Sequence, residues 1–204
     1  MKQFILTMKQ FILSITLAAA SVLSLHAQKV PYMVKIDAGT YMDYAEISIE
    51  SWIEYDWDIS KQYGADSPER LAVVPDANVF RSLYGKDYEA VKKHLEVRKT
   101  YGKCPIVGLS REQIAKFCEW RTAKCAQSKS YHPHGHSLQF ALPDKDDYAA
   151  ALDKARVSKD EAGSPTPKKK GNKLYGLYDN VAEIQTTETP QHPYGFRCVA
   201  REVE

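Results

Sequence analysis

Two short apolar stretches, each running into a helix start spelled out by its own residues, constrain this chain more than any other feature. The first runs from Cys104 through Pro105-Ile-Val-Gly-Leu-Ser110 into Arg111-Glu-Gln-Ile-Ala-Lys-Phe-Cys-Glu-Trp-Arg-Thr122. Ser110 can accept a hydrogen bond from the amide of Gln113, and the Gln113 side chain can reach back to the amide of Ser110. That reciprocal cap fixes where a helix begins. Ile114, Phe117, Cys118 and Arg121 then fall on one face, with the Arg stem covering apolar surface. The second runs through Ala141-Leu-Pro143 to Asp144 as N-cap, with Asp147 three residues on. Its inward stripe is expected to be Tyr148, Ala151, Leu152 and Ala155. Residues 104–152 therefore predict strand, helix, polar loop, strand, helix.

The N-terminus reads as targeting rather than structure. Lys2 and Lys9 precede an apolar run from Phe11 to Leu25, and Ala27 offers a small residue before Gln28. A secretory signal peptide over 1–27, cleaved after Ala27, is the expectation. Met1-Lys-Gln-Phe-Ile-Leu6 recurs at Met8-Lys-Gln-Phe-Ile-Leu13, so Met8 is an alternative start. The run is short for a bilayer span, and no Cys follows it to mark a lipid attachment site. Residues 28–204 have the size of a single domain, with no transmembrane segment expected after cleavage. A net charge of +2 without a basic stripe argues against nucleic acid as a partner. Four cysteines in an exported chain suggest disulfides, in any of three pairings.

Along the chain, Met33 to Met42 alternates like a strand, with Gly39 as a bulge or close-approach point. Ile47 and Ile49 continue extended, and Ser51 is expected to cap a helix carrying Trp52, Tyr55 and Ile59. Trp52 and Trp57 are expected in packing roles. Val74 to Tyr84 reads as a loop and a short apolar segment, and Asp87 to Lys99 as a charged helix with a solvated face. Between the two capped helices, His132-Pro-His-Gly-His136 places alternate imidazoles on one side of an extended segment, where three could meet one metal ion. Pro133 and Gly135 favour a solvated loop instead. Residues 156–173, with Gly163-Ser-Pro-Thr-Pro167 and a Lys168–Lys170 run, read as a flexible surface insertion. Its charge suits an anionic partner such as a lipid headgroup or surface polysaccharide.

Pro105-Ile-Val-Gly-Leu-Ser110, Phe117-Cys-Glu-Trp120, Leu142-Pro-Asp144 with Tyr148-Ala-Ala150, and Tyr194-Gly-Phe-Arg-Cys198 together resemble the signature of the sulfatase-modifying-factor family. These are formylglycine-generating-enzyme domains, a variant of the C-type-lectin-like fold. Met33-Val-Lys-Ile-Asp-Ala-Gly39 is similar to the family's opening strand. Val74-Pro-Asp-Ala-Asn-Val-Phe-Arg81 resembles a segment of its gliding-motility and type IX secretion lipoproteins, which are thought to assemble an envelope ring rather than catalyse. The resemblance implies a reduced α+β, C-type-lectin-like domain over 28–204, with two main helices on short irregular antiparallel sheets. It also implies a Cys118–Cys198 disulfide, leaving Cys104 and Cys125 to pair with each other. Leu174-Tyr-Gly-Leu-Tyr-Asp179 and Asn180-Val-Ala-Glu-Ile184 are similar to a family motif near a structural calcium site. Asn180 and Glu183 are the only positions onto which that role carries, and oxygen ligands suit calcium. A buried Glu183 satisfied by backbone amides is the competing reading.

The family's oxidase chemistry needs two cysteines that bind copper(I), in a segment before Gly-Phe-Arg, because soft thiolates suit that ion. Here that segment is Gln185-Thr-Thr-Glu-Thr-Pro-Gln-His-Pro193, without a Cys. No Gly-x-Ser-x-Gly elbow, phosphate-cradling Gly loop or His-Glu-x-x-His helix is present either. The expectation is a pseudoenzyme without a cofactor beyond structural calcium. It would act as an assembly or binding module with other envelope proteins or copies of itself, in the periplasm or at the outer membrane of a Gram-negative bacterium. A metal-dependent enzyme using His132, His134 and His136, and a carbohydrate-binding module, are the alternatives.

Overall fold

The computed structural model describes residues 30–155, 161–168, 171–191 and 193–203. The expected signal peptide lies outside them, as do 156–160 and 169–170 of the expected insertion. The fold is α+β. Its sheet is built from β1 (Met33–Asp37), β2 (Thr40–Asp43), β3 (Ser137–Ala141) and the last strand, β6 (Val199–Val203), in the order β1-β2-β6-β3 with every pairing antiparallel. Residues 33–42 are thus not one strand. Ala38-Gly39 makes the turn of a two-residue hairpin, with Gly39 at φ 63°, a left-handed value that glycine adopts without strain. β4 (Ala182–Glu183) and β5 (Tyr194–Gly195) form a second, parallel ladder, where only antiparallel pairing was expected.

The two long helices are α1 (Ile49–Tyr63) and α6 (Arg111–Cys125). α6 starts where its cap dictates: the Gln113 amide donates to Ser110 Oγ at 3.2 Å, and the Ser110 amide donates to Gln113 Oε1 at 2.7 Å. α1 begins earlier than expected. Ser48, not Ser51, is its cap, accepting from the Ser51 amide at 3.2 Å. Between them run the short helices α2 (Pro68–Leu71), α3 (Ala77–Tyr84), α4 (Tyr88–Lys93) and α5 (Leu95–Tyr101). Asp76 caps α3, so the expected loop-and-apolar segment is helical, and the expected helix over 87–99 breaks at His94. α7 (Lys145–Ala151) carries the expected Asp144–Asp147 capping box. It then tightens into a 3-10 turn at Leu152–Lys154, which leaves Leu152 50% exposed rather than inward.

The core sits where α1 and α6 meet the segment entering β6. Trp52 stacks on Phe117 with ring centroids 5.2 Å apart, and Phe196 meets both edge-on at 6.2 and 5.5 Å. Such ring pairs add about 0.5–1.5 kcal/mol each beyond burial. The Trp52 indole N–H, out of water, donates to the Val73 carbonyl at 3.1 Å. Trp57 is 42% exposed on the opposite face of α1, covered on one side by the Arg98 guanidinium 5.0 Å away. No helix of the described residues is long and apolar enough to cross a membrane.

Candidate functional site

The sequence-nominated residues fall in separate places. His132 lies between two 3-10 turns, Lys129–Tyr131 and Pro133–Gly135, that lead into β3, and His134 sits in the second. A His132 ring nitrogen lies 3.0 Å from the Ala126 carbonyl, and a His134 ring nitrogen lies 3.2 Å from Glu202 Oε1. Among the described residues no three His, Cys, Asp or Glu side chains are grouped to hold a metal. Asn180, at φ 69°, accepts from the amides of Gly163 and Ser164 at 2.8 and 3.1 Å and donates to the Ser164 carbonyl at 3.3 Å. It therefore clamps residues 163–164, which belong to the stretch expected to be a flexible insertion. The Thr166 amide adds a bond to the Lys103 carbonyl at 2.9 Å. Residues 161–168 are thereby tied down as a strap.

Glu183 is buried among side chains rather than backbone amides. Arg197, fully buried, donates to it through Nε at 2.7 Å and Nη2 at 2.5 Å, and the Tyr148 hydroxyl donates at 2.7 Å. A buried guanidinium needs this saturation, because an unpaired charge removed from water is costly. Asp43 is held in the same way: Arg121 donates to both its oxygens, and the Cys198 amide donates to Oδ2 at 2.9 Å. In the helical half, Asp56 takes Arg70, Lys92, Tyr88 and Ser60. Burial alone would raise its carboxyl, but the hydrogen bonds and charges of Arg70 and Lys92 outweigh that and hold it below the usual range.

Cys118 Sγ and Cys198 Sγ are 3.7 Å apart, both as thiols, inside the core. Burial, then the hydrogen bond and charge of Cys118, push the Cys198 thiol well above its ordinary value, so it is protonated. Cys104 and Cys125 are buried thiols as well. Residues 185–189 are held by Arg111 at the start of α6. Its Nη1 donates to the Gln185 and Thr186 carbonyls at 2.6 and 2.8 Å. Its Nη2 donates to the Glu188 carbonyl and to Thr189 Oγ1 at 3.3 and 2.7 Å.

What the residues do form is a cleft of about 640 Å³ between the β2–α1 connection, the C-terminal half of α6 and the strap. That volume falls in the range of small-ligand sites. Its walls carry Tyr32, Tyr44, Phe117, Trp120 and Tyr131. Two of its lining cations are paired, Arg121 with Asp43 and Lys124 with Asp58 at 2.6 Å. Glu46 also lines it. This glutamate is 5% exposed, joins none of the ion pairs among the described residues, and leaves Oε1 without a hydrogen bond. Gly176, at φ 70°, packs so closely on the carboxylate that a Cβ there would collide with it. Burial, reinforced by the charge of Glu183 and partly offset by Arg197, raises the Glu46 carboxyl to about 8. Thr166, a lining residue on the strap, likewise buries its Oγ1 without a hydrogen-bond partner. Sequence reasoning missed this cleft, because its walls come from segments far apart in the chain and nothing local in Glu46 distinguishes it from a surface acid.

Comparison of the chain with protein-family models, with curated proteins and with solved structures finds no match.

Proposed function

We propose that this is an exported, non-catalytic binding module of the bacterial envelope, built on a reduced C-type-lectin-like scaffold of the formylglycine-generating type. The observation that carries this reading is the fate of its polar groups. Asp43, Asp56, Asp147 and Glu183 are each gripped by arginine or lysine from another segment and brace the fold. A catalytic carboxylate or nucleophile needs a free face toward its substrate. Arg111 supports the same reading, since its guanidinium occupies the short segment where the resembled enzymes carry their copper thiols. Association with other envelope proteins of a gliding or type IX secretion assembly, or with further copies of this chain, is part of the proposal.

The test is affinity capture of the tagged, full-length protein from envelope extract, paired with gel filtration of the purified chain. A reproducible stoichiometric partner or a defined oligomer is the expected result. A lone monomer without a partner, or oxidation of a Cys-containing sulfatase peptide by the copper-supplied protein, contradicts it.

A further inference from the structure

We infer that Glu46 and Gly176 form a proton-dependent latch: the neutral carboxylic acid keeps the 161–168 strap at the cleft, and its ionisation releases the strap. The inference does not depend on the envelope reading. Glu46 lies buried in the β2–α1 connection, and its Oε1 has no hydrogen-bond partner. Gly176 packs against that oxygen so closely that a Cβ would collide with it, which leaves no room for water between the two.

The surrounding groups decide which form of the acid the fold accepts. Arg197 is the cation nearby, and its guanidinium is committed to both oxygens of Glu183 and to the Asp43 and Tyr175 carbonyls. Glu183 of β4 and Asp179 add negative charge, and Tyr148 of α7 and Tyr84 of α3 complete the titratable neighbours. An ionised Glu46 would thus be buried without a counter-ion of its own, which is costly. Burial, with the charge of Glu183, accordingly raises it to about 8 against the opposing pull of Arg197.

The contact is wired to the strap. Gly176 belongs to the same segment as Asn180, which clamps Gly163 and Ser164. Leu174 and Tyr175 before this segment and Val181 after it are buried, so residues 176–180 can swing out while the core stays closed. That movement hydrates Glu46 and undoes the clamp together. Thr166, Pro167 and Lys168 of the strap line the cleft, so the proton on Glu46 controls access to it. Opening releases a proton between the hydrated value of 4.5 and the latched value of about 8. The released population therefore rises about tenfold per pH unit in that window and levels off above it.

Hydrogen exchange of the full chain from pH 6 to 9, read at the strap and at α6, tests this. Base catalysis speeds exchange in every variant, so the wild type is read as a ratio to Glu46→Gln at each pH. At the strap that ratio should climb about tenfold per pH unit up to pH 8 and then flatten, with strap amides exchanging faster than those of α6 throughout. Asn180→Ala removes the clamp without touching Glu46, and it stands in should Glu46→Gln fail to fold. Its strap should be unprotected already at pH 6, and its lead over the wild type should shrink about tenfold per pH unit. A flat ratio from pH 6 to 8, strap amides no faster than those of α6, or a strap as protected in Asn180→Ala as in the wild type overturns the inference.

Discussion

Arg121 of α6 donates to both carboxylate oxygens of Asp43, at 2.6 and 2.7 Å, across 78 residues of sequence. The guanidinium also lies 4.4 Å from the Phe140 ring centroid, so one side chain joins the central helix, β2 and β3. Replacing it with methionine keeps the stem and strands the acid. Arg121→Met is expected to cost about 3–5 kcal/mol, the loss seen when one member of a buried pair is removed. Urea unfolding checks this, and a loss under about 1 kcal/mol would mean that Asp43 finds water or another partner.

Arg111 holds the 185–189 segment through four hydrogen bonds, but it sits near the surface. Arg111→Ala should therefore loosen that segment locally while lowering global stability by no more than about 1–2 kcal/mol. Hydrogen exchange is the measurement: faster exchange at residues 185–189 with α6 unchanged is the expected pattern.

Glu46 and Asp56 give stability opposite pH dependences. The Glu46 carboxyl keeps its proton to about 8 in the fold but loses it near 4.5 when unfolded. The unfolded state then binds fewer protons between those values, so stability falls as pH rises through that window. The contribution reaches about 1.4 kcal/mol per pH unit and levels off above pH 8. Asp56 is shifted the other way, so its contribution is present at neutral pH and is lost as pH falls through its depressed folded value. Denaturant unfolding across pH 5 to 9 should show a decline that Glu46→Gln flattens. An unchanged slope in that variant would contradict the assignment.

Gly176 packs its Cα against the Glu46 carboxylate at a left-handed φ. Gly176→Ala adds both a collision and backbone strain, so a loss of about 1–3 kcal/mol is expected. Gly85, also left-handed but open to solvent, is the control. Gly85→Ala should cost less, since it carries strain without a collision.

The local grammar of the chain was legible where a side chain acts on its own neighbourhood. Ser110 with Gln113 and Asp144 with Asp147 start their helices where reciprocal capping places them. The contact of Cys118 with Cys198 came from resemblance, not from spacing. Errors arose where tertiary contacts decide between equivalent local options. Ser48 and Ser51 are both good caps, and the pairing of Ser48 with Pro105 together with the Ile49 amide bond to the Cys104 carbonyl favours the earlier one. Alternation over 33–42 could not distinguish one strand from a hairpin folded at Gly39. Leu152 follows the helical stripe in sequence, but the 3-10 turn rotates it outward. Glu46, α6 and the strap meet only in three dimensions, so their cleft left no trace in the residues.

The account is tested most directly by mapping the cysteines of the full-length protein, produced in an oxidising compartment, after alkylation without reduction. A proteolytic peptide joining Cys118 to Cys198 is predicted, because their sulfurs already touch and an oxidising compartment would close the bond, adding about 4 kcal/mol for a loop of this length. Both cysteines alkylated as free thiols, or Cys118 linked to Cys104 or Cys125, would contradict the account.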